Sequence, residues 1–182
     1  GGRVVAHELA AWIVTAHLVV AIVIVQMLLY VTVTAADVTN RRHAAPMSVT
    51  VGAGALILLT LVQAAVGALV RGAIDEALDA GVDRGAAVAT LGSIDVVHRD
   101  LAFLVLLGAA LLTMWMLSRG SPPPIRRWSL VTLALATLQV GLGVYMAYGF
   151  LLPAAQVAHL TVASLLLGAE TVLLLEGRRQ TV

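Results

Sequence analysis

The sequence has no cysteine and no lysine, and only 12% of its 182 residues are charged. Without thiols it makes no disulfide and offers no thiolate to zinc or an iron–sulfur cluster. Any bound metal therefore uses histidine, carboxylate or the atoms of a cofactor. A soluble domain carries about 25% charged and about 45–50% apolar residues. Here the apolar share is 60% and the mean hydropathy +0.99. That leaves too little polar surface to face water, which excludes a disordered chain and an ordinary soluble enzyme. A net charge of +1 likewise gives no field to attract nucleic acid. The chain begins Gly1-Gly2 rather than with Met, and no signal-peptide pattern precedes its first apolar run. It reads as a fragment or a processed product of an integral membrane protein.

What is present is a series of apolar runs. A membrane helix needs about 20 apolar residues, and five runs qualify: Leu9–Val33, Met47–Val70, Val96–Leu117, Trp128–Tyr148 and Pro153–Leu175. They are continuous rather than alternating, so each must satisfy its backbone internally as a helix. The linkers are Ala36–Pro46, Gly72–Asp95, Ser118–Arg127 and a tight Gly149–Leu152 turn. Within the acidic linker Ala73–Ala80 has helical character, with Gly81 as its stop, and is expected as a short helix on the outer surface. With spans alternating, one side collects Arg41, Arg42, Arg119, Arg126, Arg127, Arg178 and Arg179, and the other Arg3, Arg71, Arg84 and Arg99 among acids. The positive-inside rule makes the first side cytoplasmic. Trp128 and Tyr148 mark the two ends of the fourth span as interface anchors.

Histidine inside a membrane is costly and points to function. His17, His98 and His159 fall in the outer parts of spans one, three and five, which share a direction. Each precedes an alanine by four residues (Ala21, Ala102, Ala163), which leaves a flat slot one turn below the imidazole. Two such histidines at one depth on facing helices, with no cysteine available, are suited to hold a planar macrocycle by bis-His haem ligation. Taken singly, each is equally well a helix–helix hydrogen-bond partner. His7 and His43 belong to a terminus and a loop. The fold class expected is therefore all-α: a polytopic membrane protein of five transmembrane helices, four of them a haem-binding four-helix bundle.

Spans two to five repeat. Leu61-Val62-Gln63-x-x-x-Gly67 matches Thr137-Leu138-Gln139-x-x-x-Gly143, and the histidine spans carry Gly108 and Gly168 after their alanines. Val62-Gln63-x-x-x-Gly67-Ala68-Leu69-Val70-Arg71, then Val97-His98-Arg99-x-x-Ala102, Leu138-Gln139-x-x-x-Gly143 and Ala158-His159-x-x-x-Ala163 resemble the haem A synthase family. The resemblance implies two similar four-helix halves that convert haem O to haem A by oxidising a ring methyl to a formyl group. Spans two to five are similar to the C-terminal half, which carries haem b, and span one to the last helix of the N-terminal half. Residues 1–46 are thus expected as the end of a preceding half-domain and 47–182 as the haem-binding bundle. The half that holds the substrate haem would lie largely before this chain, which alone is not expected to make haem A.

On that resemblance His98 and His159 are the axial ligands, and His17 is a possible ligand to the other haem. Arg71 and Arg99, at the outer ends of spans two and three, are candidates for the haem propionates; the alternative is that both merely snorkel. Gln63, Gly67 and Arg71 share one helix face. Thr161, Ser164 or backbone carbonyls are candidate acceptors for the second imidazole nitrogen. Asp95, three residues before His98, is expected to cap the third span together with or instead of Ser93; the alternative is an acid/base role. Catalytic candidates stop at His17 and Asp95. Glu170 receives no role. The implied partners are haem, the bilayer, the farnesyltransferase that makes haem O and cytochrome oxidase assembly, and the implied place is the bacterial inner membrane. The competing reading is a bis-His membrane cytochrome b that passes electrons, and a third is a purely structural assembly factor.

Overall fold

The computed structural model describes residues 20–35, 47–149 and 151–178. Among them all regular structure is helical. Helix α1 spans Val20–Ala35, α2 Met47–Asp79, α3 Arg84–Ala87, α4 Ser93–Ser118, α5 Pro123–Tyr148 and α6 Pro153–Arg178, with a 3₁₀ turn at Val88–Thr90. Four of these, α2, α4, α5 and α6, are long and apolar enough to cross a membrane. The fifth expected span is described only over Val20–Ala35. The Ala36–Pro46 linker, His7, His17, His43, Arg3, Arg41, Arg42 and Arg179 lie outside the described residues.

The four long helices pack as a closed ring in the order α2, α4, α5, α6, with α6 returning to α2. Neighbours are antiparallel: Leu56 and Gly67 of α2 meet Gly108 and His98 of α4, and Thr60 and Thr50 of α2 meet Glu170 and Gly177 of α6. Hence α4 and α6, the two histidine helices, stand diagonally across the bundle. Van der Waals packing and interhelical hydrogen bonds hold such helices together, since lipid removes the hydrophobic drive between them. Helix α1 lies over α6, with Leu29 against Gly168 and Gln26 bonded to Thr171 at 2.5 Å. Covered on that face as well, Leu166–Glu170 are buried in succession.

Boundaries follow local chemistry rather than hydropathy. Helix α2 does not stop where its apolar run stops. It continues through Arg71–Asp79 as one helix of 33 residues and ends before Gly81, whose φ of +87° suits only glycine. The expected separate surface helix at Ala73–Ala80 is thus the end of α2, and the linker shrinks to residues 80–92. The Ser118–Arg127 linker shrinks too, because Pro123 and Pro124 open α5 and place Arg126 and Arg127 inside it. Proline is well suited there, where no intrahelical N–H bond is lost.

Three apolar clusters fill the interior. One, at the end holding the arginine-rich loop, joins Val49, Ala53, Met116, Ile125 and Leu173; a middle one joins Leu56, Val105, Ala109, Ala136 and Leu166. The third closes the opposite end with Ile74, Ala87, Leu91 and Leu151. Between the middle and third clusters the core is interrupted. No residue is buried in 61–73, 92–104, 137–149 or 156–161, although buried residues flank every one of these stretches.

Candidate functional site

The interruption holds His98 and His159, the histidines among the described residues. A Cβ at Gly67 would lie 3.1 Å from Cε1 of His98 and 3.6 Å from its Nδ1, and one at Gly143 would lie 3.5 Å from Cε1 of His159. Each imidazole therefore rests in a notch that a glycine leaves on the preceding helix, α2 for His98 and α5 for His159. The repeat seen in sequence is a spatial one. Both rings are half-buried, they lie within electrostatic range of each other, and Nδ1 of each is buried without a partner. Gln63, one turn below Gly67, donates from Nε2 to the His98 backbone carbonyl at 2.9 Å. The side-chain oxygens of Gln63 and Gln139 are buried and unbonded.

Polar groups rim the outer end. The Arg71 guanidinium grips Asp75 at 2.9 Å and 2.8 Å, and its other nitrogen meets the Gln156 side-chain oxygen on α6. Gln156 in turn donates to the Leu151 carbonyl at 2.7 Å. Arg99 pairs with Asp95 at 2.7 Å and lies 6.0 Å from the centre of the Tyr148 ring. Asp95 is not the cap expected of it, and neither is Ser93. Gly92, at φ +58°, occupies the cap position and no side chain bonds there. Asp95 stands in the first turn of α4, where a negative charge complements the helix dipole, and it neutralises Arg99. Thr161 and Ser164 do not serve as the expected acceptors: their hydroxyls donate to the carbonyls of Val157 and Leu160, and neither imidazole Nδ1 meets them.

Among the described residues no three His, Cys, Asp or Glu side chains group to hold a bare metal ion. Two imidazoles from diagonal helices are what a haem site would draw from the protein, the macrocycle supplying the remaining nitrogens. The glycine notches, the orphaned Nδ1 atoms and the interrupted core all fit such a group.

The COX15-CtaA family of cytochrome oxidase assembly proteins matches residues 1–171 of this sequence. The chain belongs to that family. It is the haem A synthase family, and its role is cytochrome oxidase assembly. No curated protein and no solved structure matches the chain. Within this haem A synthase family member, sequence reasoning passed over Gln156, Tyr148 as a partner of Arg99, and the whole of the Thr60–Glu170 contact. Glu170 is fully buried and accepts from Thr60 at 2.8 Å. It does not extend to the membrane interface.

Proposed function

We propose that His98 and His159 are the axial ligands of one haem b, and that this bundle is the electron-carrying part of a synthase that oxidises a methyl of haem O to the formyl of haem A. One observation carries the reading: two imidazoles from diagonal helices, each seated in a glycine notch, face the one stretch of bundle where the core is interrupted. Haem supplies a one-electron iron couple. The protein's own residues orient it and keep it dry. The outer apolar cluster closes the site toward Asp83 and Asp79, and the middle cluster closes it below. Arg71 and Arg99 are the propionate partners of this proposal. Arg71 is held by Asp75 in a solvent-facing pairing worth about 0–1 kcal/mol and so easily exchanged, and Arg99 by the partly buried Asp95. No catalytic residue is proposed; Asp95 is engaged by Arg99. Residues 1–46 are read as the end of the preceding half, with His17 toward its haem, and the setting as a bacterial inner membrane beside the haem O-making farnesyltransferase. A plain electron-carrying cytochrome b would share the ligand pair, but family membership favours the synthase.

The test is spectroscopic. Purified protein loaded with haem b in nanodiscs is expected to show a low-spin bis-His spectrum. His98→Ala and His159→Ala should each abolish it, and His17→Ala should not. Retention of the spectrum in both single variants overturns the assignment.

A further inference from the structure

We propose that Gln63 and Gln139 are positioning residues whose side-chain carbonyls accept the Nδ1–H of His98 and His159, fixing both imidazoles in the tautomer that leaves Nε2 for iron. The inference rests on the haem reading above and deepens it.

It begins from donors and acceptors. A neutral imidazole has one N–H and one lone pair; if the metal takes the lone pair, the other nitrogen is a donor that needs an acceptor. Nδ1 of His98 and Nδ1 of His159 are buried, and no side chain meets either with hydrogen-bond geometry; at His159 the Gln139 backbone is within reach. The Oε1 atoms of Gln63 and Gln139 are buried acceptors without a donor. The remaining buried unbonded side-chain atoms among the described residues are the hydroxyls of Thr50, Ser121 and Thr132 and Oε2 of Glu170. Glu170 is eleven residues beyond His159 on the same helix, about 16 Å away at 1.5 Å per residue. At the depth of the rings, then, what is unsatisfied is one donor and one acceptor per hairpin.

Position agrees with this count. Gln63 and Gln139 each precede their notch glycine by four residues, on the same helix face. The Gln63 amide already reaches His98, through Nε2 to the backbone carbonyl. That bond also settles which end of the amide is oxygen, since a carbonyl accepts only from the NH₂. Gln63 therefore faces His98 with its nitrogen committed and its oxygen free. The same residue recurs at the same offset in the second hairpin. The competing acceptor is a main-chain carbonyl, most directly that of Gln139, whose backbone lies in range of the His159 ring.

The experiment uses haem-b-loaded full chain in nanodiscs, with Gln63→Leu, Gln139→Leu, Gln63→Glu and Gln139→Glu, read by optical redox titration. An acceptor on Nδ1–H gives the imidazole more anionic character and favours ferric iron. The Leu variants are expected to keep the bis-His spectrum, to titrate at a higher midpoint potential than the unsubstituted protein and to lose about tenfold or more in haem affinity. The Glu variants are expected to titrate lower. Opposite shifts are what a packing role would not give. Should a Leu variant not fold, Gln63→Met and Gln139→Met serve the same comparison. Leu and Glu variants that both keep the unsubstituted potential assign the bond to the backbone and overturn the proposal, as do shifts of one sign. Failure of the unsubstituted protein to give a bis-His spectrum is instead a failure of the haem reading.

Discussion

The two glycine notches are not equally tight. A methyl added at Gly67 would press on His98 at 3.1 Å, whereas at Gly143 it would make an ordinary 3.5 Å contact with His159. Gly67→Ala is therefore expected to weaken haem binding by about 1–3 kcal/mol, the usual cost of overpacking, and Gly143→Ala to leave it nearly unchanged; a haem titration of both variants checks this. The buried Thr60–Glu170 bond makes a second prediction. Thr60→Val strips a buried carboxyl of its donor and should cost about 1–3 kcal/mol of stability, while Thr60→Val with Glu170→Met, which removes both polar partners, should recover most of it. Detergent unfolding of the single and double variants reads that coupling. At this scale the histidines and their Gln-x-x-x-Gly partners were legible because i, i+4 spacing maps directly onto a helix face. Thr60 and Glu170 were not, being 110 residues apart on helices whose pairing only the fold supplies. Asp95 was misjudged although its partner Arg99 stood at i+4: a glycine with positive φ had taken the cap.

Helix α2, with 33 residues, is about 50 Å long, well over the ~30 Å of a bilayer's apolar core. Hydropathy located where the membrane ends, at Val70, but a helix ends where its backbone is stopped, and Arg71–Asp75 pairing carries it onward. The protruding turns do work of their own: Ile74 plugs the outer end of the bundle against Ala87, Leu91 and Leu151. Ile74→Ala should accordingly cost about 2 kcal/mol or more. Leu69→Ala, at a position 62% exposed, should cost little. Thermal unfolding followed by helical circular dichroism distinguishes the two.

For the molecule as a whole, the arginine bias predicts which end of the bundle is cytoplasmic. Because the chain has no cysteine, single cysteines report topology cleanly. Ser118→Cys, exposed at the arginine-rich end, should be protected from an impermeant thiol reagent in intact cells, and Ala80→Cys, exposed at the other, should be labelled. The reverse pattern would invert the assignment. The four long spans among the described residues and their order were legible in the sequence; that the histidine helices stand on a diagonal was not, because ring order is a tertiary fact. That diagonal has a stereochemical result. Helices α2 and α4 map onto α5 and α6 by a half-turn about the bundle axis, which exchanges His98 with His159. Haem b has no such symmetry, because its vinyl groups are unevenly placed about the line between its propionates. On the proposed ligation, a site with two similar faces accepts the ring and its flipped counterpart, so freshly loaded protein is expected to be a mixture of two isomers, read as doubled haem-methyl resonances. What would separate them in energy is what breaks the likeness of the halves, including 3.1 Å at Gly67 against 3.5 Å at Gly143 and α1 covering α6 alone.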